Sequence, residues 1–99
     1  MRKIKEYVEH IKDEIEGAKD YAEKYVECKA KGNMQRANQY KEMASDELKH
    51  AMYVHEWAVN EVAEISKVYT PPVEMQEKWE HEHKKFVEEV ALVKQILGM

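Results

Sequence analysis

The sequence predicts an all-α domain, and three observations lead there. Charged residues make up 36% of the chain and hydrophobic residues 43%, with only three Gly and two Pro, a balance that suits long amphipathic helices and opposes disorder or a sandwich of short strands. Apolar residues recur at helical spacing nearly from end to end. Only two places carry strong breaking signals, Lys31-Gly32-Asn33 and Thr70-Pro71-Pro72. With 99 residues there is room for one domain, spanning 1–99.

Each predicted helix follows from its stripe. The first, about 2–31, places Ile4, Tyr7, Val8, Ile11, Ile15, Ala18, Ala22 and Tyr25 on one face. Gly32 and Asn33 tolerate positive φ and can close it. The second, 34–68, carries Tyr40, Ala44, Ala51, Val54, Ala58, Val62 and Ile65, several of them small enough to admit a neighbouring backbone. Pro71 and Pro72 remove two backbone donors and restrict the residues before them, so it ends ahead of them. The third, 73–97, repeats Trp79, Phe86, Val90, Val93 and Leu97 at near-heptad spacing. Short connections make successive helices antiparallel neighbours. Helices of this length, about 40 to 50 Å at ~1.5 Å per residue, are too elongated for a self-sufficient core, so association of chains is expected.

Charge and cysteine use narrow the function classes. The net charge of −4 opposes a nucleic-acid or anionic-membrane surface and favours cations. One cysteine, Cys28, excludes an internal disulfide and a Cys-rich zinc site, and reads as an inert or weakly reactive thiol. The charged opening Met1-Arg2-Lys3-Ile4-Lys5-Glu6 has no apolar run of signal or membrane-spanning length, which points to a cytoplasmic protein.

The chemistry-bearing positions are polar residues that the helical period turns inward. At about 100° per residue, Glu14 falls roughly 60° from Ile11, on the shoulder of the first stripe. Glu47 sits beside Ala44 and Ala51, and His50 lies on the same side near Val54 and Trp57, so Glu47-Leu48-Lys49-His50 is an inward Glu-x-x-His turn. Glu14 lies about 18 residues before the Gly32 turn and Glu47 about 15 after it, a height mismatch of roughly 4 to 5 Å. The three residues can therefore converge. Adjacent carboxylates repel unless a cation or proton intervenes, and carboxylates with one imidazole suit Fe, Mn or Zn. A lone Glu with Glu-x-x-His is half of a four-helix di-iron site, whose other half a two-fold-related second chain would supply.

The runs Asp13-Glu14-Ile15-Glu16 with Asp20-Tyr21, and Glu47-Leu48-Lys49-His50-Ala51-Met52 with Glu56-Trp57, resemble the encapsulated ferritins within the wider ferritin and rubrerythrin superfamily. The resemblance implies that two chains join into one ferritin-like four-helix bundle. It implies that Glu14, Glu47 and His50 of each chain hold a pair of irons at the interface and oxidise Fe(II) to Fe(III). It also implies that Asp13 and Glu16 attract iron and that Tyr21 lies near the metal. The implied partners are a second copy, in a homodimer or higher oligomer, and an encapsulin-type protein shell. Here the third predicted helix runs almost to Met99, where that family usually carries a shell-docking tail.

A second Glu-x-x-His turn, Glu80-His81-Glu82-His83, lies near the start of the third helix. Counted from Pro71, Glu61 and Glu80 stand at equal heights on adjacent helices, which allows a secondary metal group of Glu61, Glu80 and His83. A charged helix start accounts for the same residues without metal. His10, one turn before Glu14, reads as a solvent-facing edge or an outer partner of the site, and His55 as lying on the opposite shoulder from His50 and outside it. The expected function is ferroxidation for iron storage or detoxification, with Tyr21 as hydrogen-bond donor or one-electron source. The alternatives are a rubrerythrin-like peroxide-reducing di-iron protein and a non-catalytic helical interaction protein with a buried Glu/His layer.

Overall fold

The computed structural model describes residues 2–99, which form three helices, α1 (Arg2–Ala30), α2 (Met34–Val68) and α3 (Val73–Leu97), with no strand among the described residues. Each boundary sits where the sequence places it, within a residue or two. At the first turn Gly32 adopts φ of 77°, the Gly32 amide donates to the Lys29 carbonyl at 3.1 Å and the Asn33 amide to the Cys28 carbonyl at 2.9 Å. This is a Schellman closure, which needs a left-handed residue at that position. Asn33 also opens α2, its Oδ1 accepting from the Arg36 amide at 3.1 Å. At the second turn the Pro72 carbonyl accepts from the amides of Met75 and Gln76, so Pro72, which cannot itself donate, is the N-cap residue of α3.

α1 and α2 form the tight pair. Ile11, Ile15, Ala18, Ala22 and Tyr25 of α1 are buried against Ala37, Ala44, Leu48, Ala51 and Val54 of α2. The alanines let the two backbones approach, while Leu48 fills the space between the layers. The predicted α2 stripe holds except at its edges: Leu48 and Ala37 are buried beyond it, and Tyr40, Val62 and Ile65 are only half-buried.

α3 runs parallel to α1 and is held less deeply, with only Val93 and Leu97 fully buried and Trp79, Phe86 and Val90 half-buried. Two ion pairs keep the same offset along both helices, Lys12 Nζ to Glu82 Oε1 at 3.4 Å and Lys19 Nζ to Glu89 Oε2 at 2.9 Å. Lys12 and Glu14 lie about 200° apart around α1. α3 therefore covers the flank of the hairpin opposite Glu14. The molecule extends 55 × 18 × 17 Å. Where α1 begins, α2 ends and α3 begins, the helices diverge around an apolar cleft of about 640 Å³ lined by Ile4, Val8, Val62, Ile65, Met75 and Trp79.

Candidate metal centre

The uncovered flank of the hairpin carries the inward polar residues. One ligand atom from each of Glu14, Glu47 and His50 can be chosen so that all lie within 4.8 Å of one another, and no other group of three or more such residues forms among the described residues. His50 Nδ1 stands 3.5 Å from Glu14 Oε2, and His10 Nε2 stands 3.1 Å from Glu14 Oε1. The Glu14 side chain is 18% exposed and that of His50 55% exposed, so the carboxylate forms the floor and the imidazole the rim.

The pattern of side-chain sizes makes the floor possible. Gly17, one turn beyond Glu14, has no Cβ, and a Cβ placed there would stand 3.0 Å from Glu47 Oε2. The missing side chain is the slot into which the Glu47 carboxyl extends across the helix pair.

Glu14 and Glu47 lie side by side and perturb one another in opposite directions. The bond from Glu47, then those from His10 and the charge of His50, hold Glu14 below the usual carboxylate range despite the opposing effect of burial. The same bond with Glu14, together with burial and the Glu14 charge, pushes Glu47 up. Of the two carboxyls, Glu47 is therefore the one that holds a proton more readily. A divalent cation would offset the repulsion between the two carboxylates, and two carboxylates with one imidazole match the hard-to-borderline preference of Fe, Mn or Zn.

The other sequence candidates lie elsewhere. Asp13 and Glu16 are exposed and outside the cluster. Tyr21, two turns beyond Glu14, stacks on Tyr40 with ring centroids 6.1 Å apart. The secondary group of Glu61, Glu80 and His83 is not assembled. Glu61 Oε2 faces Lys3 Nζ at 3.7 Å, Glu80 is exposed, and His83 Nδ1 meets His55 Nε2 at 2.8 Å. Equal height along two helices fixes position on the axis but not rotation about it, and α3 is rotated to put His83 on His55. His10 and Gly17 contribute more to the site than helical periodicity alone suggests. Their signals are the four-residue spacing of His10 from Glu14 and a glycine in a helix interior one turn from an inward carboxylate. Comparison with family models, with curated proteins and with solved structures returns no match for this chain.

Proposed function

We propose that this chain is a ferritin-like di-iron carboxylate protein, in which Glu14, Glu47 and His50 act together with the same residues of a second copy to oxidise Fe(II) to Fe(III), for iron storage or detoxification. The observation that carries the reading is the convergence of Glu14, Glu47 and His50 on the flank that α3 leaves open. Fe(II) is the substrate, and each ion gives one electron to dioxygen. Glu14 and Glu47 offset the charge of the incoming cations, and Glu47 releases its proton to solvent as they arrive. His50 contributes a neutral nitrogen at the rim, and His10 holds one oxygen of Glu14 in place. Tyr21, with its ring on Tyr40, is the candidate one-electron donor. Two chains across a two-fold axis would complete a four-helix bundle and supply six donors where one chain supplies three. A peroxide-reducing role would use the same residues and differ in which oxidant reacts faster.

A second reading has one observation in its favour: Glu14 is already engaged on both oxygens, by His10 Nε2 at 3.1 Å and His50 Nδ1 at 3.5 Å, so the cluster can serve as a polar layer that fixes helix register. One experiment separates the two. Anaerobic Fe(II) titration of the metal-free protein, followed by air, should saturate near two irons per dimer and develop Fe(III) near-ultraviolet absorbance rapidly. Glu47→Ala should lose saturable binding while keeping its helical circular dichroism. Absence of saturable binding in the wild type would leave the polar layer as the role of these residues.

A further inference from the structure

On the flank opposite the carboxylate cluster, two imidazoles from different helices face one another. His55 Nε2 of α2 and His83 Nδ1 of α3 are 2.8 Å apart. The ring centroids are 4.9 Å apart with planes inclined by 27°, so the rings meet edge to edge and the two nitrogens aim at each other. His55 is held from both sides, its ring lying near-parallel to Phe86 at 4.2 Å and to Trp79 at 6.0 Å. The pair opens on a recess of about 30 Å³ lined also by Lys12, Glu82, Lys85 and Glu89, enough for an ion and a water.

We propose that His55 and His83 form a second metal site, one that takes a borderline divalent cation of the Zn2+ type between two imidazoles and fastens α3 to the hairpin. A tetrahedral ion with bonds of about 2.0–2.1 Å separates two ligand nitrogens by about 3.3 Å, so the nitrogens need to part by about 0.5 Å and the rings to turn by roughly 35° each until both lone pairs meet at the ion. His83 is exposed and free to make that movement, while Trp79 and Phe86 fix the plane of His55. In the metal-free pair one ring donates its N–H to the other. On binding, that ring carries its proton on its other nitrogen, both lone pairs face the ion, and no net proton is released. Water fills the remaining positions, because the nearest carboxylates are already engaged, Glu82 by Lys12 and Glu89 by Lys19 and Lys85. Burial and the neighbouring His83 hold His55 below the usual imidazole range, which keeps it in the neutral, ligating form. Imidazole pairs with no thiolate or added carboxylate favour Zn2+ or Cu2+ over Fe2+ or Mn2+, whereas the carboxylate cluster accepts Fe, Mn or Zn, so Zn2+ is the ion the two sites share. α3 is the helix with the fewest buried residues, and a cross-helix ion would add stability where the fold has least.

The site is independent of the iron reading, and its test removes the carboxylate cluster from the measurement. In a Glu14→Gln, Glu47→Gln background, calorimetric titration with Zn2+ alone should show one saturable site per chain and a Zn2+-dependent rise in Tm. Adding His83→Gln, a change at an exposed side chain, should lower the affinity at least tenfold and abolish the Tm rise; His55→Gln should do the same. Zn2+ binding unchanged by His83→Gln, or no saturable binding in the Glu14→Gln, Glu47→Gln background, would overturn the proposal.

Discussion

Glu14 and Glu47 are chemically alike and adjacent, yet their environments push them in opposite directions. Glu47 is raised by its bond to Glu14, so the stability it contributes is present at low pH and is lost as pH climbs through its folded pKa. Glu14 is lowered by the bond from Glu47, so its contribution is present above the ordinary carboxylate range and is lost as pH falls through its depressed value. The metal-free chain should therefore be most stable between the two, in mildly acidic solution. Its Tm should fall as pH rises above the ordinary carboxylate range and the Glu47 proton leaves. In Glu47→Gln the amide donates to Glu14 at every pH, and the fall should flatten. Parallel Tm profiles for the two proteins would show that no proton is shared.

At the scale of the helix, Gly17 sets folding preference against site geometry. Replacing it with Ala in a helix interior favours the helix by about 0.8–1.0 kcal/mol. The new methyl meets only the far end of the Glu47 side chain, which can swing aside. Gly17→Ala should raise Tm while weakening Fe(II) or Zn2+ binding at the cluster, and a higher Tm with unchanged affinity would separate Gly17 from the site. Much at this scale was legible in the sequence. The periodic burial of Ile11, Ile15, Ala18 and Ala22, the Gly32 and Pro71-Pro72 breaks, and the convergence of Glu14 with Glu47 and His50 all follow from helical rise and turn across one short loop. Leu48 lies only about 40° round the helix from Ala44, at the edge of the predicted stripe, so its burial was within reach of the same periodicity. The His55–His83 contact escaped because the second turn sets the height of α3 but not which flank it takes or how it is rotated. Those are decided by packing of Trp79, Phe86 and Val90 and by the Lys12–Glu82 and Lys19–Glu89 pairs, which are interactions between α3 and residues far away in sequence.

Across the whole molecule, α3 covers one long side of a hairpin 55 Å in length and leaves the other side bare. That side presents His50 together with Met43, Tyr53 at 56% and Trp57 at 52% exposure, the last resting on Tyr7 with ring centroids 6.3 Å apart. Large amphipathic rings around a half-exposed imidazole make a surface suited to burial against its own copy, since a two-fold interface sets each patch against itself. Three donors from one chain are too few for two irons, so the proposed chemistry and the proposed dimer stand together. Trp57 is two turns from His50, close enough to the site to anchor that interface and too far to ligate a metal there. Trp57→Glu should leave the helices formed, since the side chain is already half in solvent. It should shift sedimentation from dimer to monomer at micromolar concentration and abolish saturation at two irons per dimer. Repulsion between the carboxylates introduced on the two chains should ease at low pH, so partial recovery of dimer and of iron binding on acidification would tie both losses to the same interface. A monomeric Trp57→Glu chain that still bound and oxidised iron at wild-type stoichiometry would assign the whole reaction to Glu14, Glu47 and His50 of a single chain.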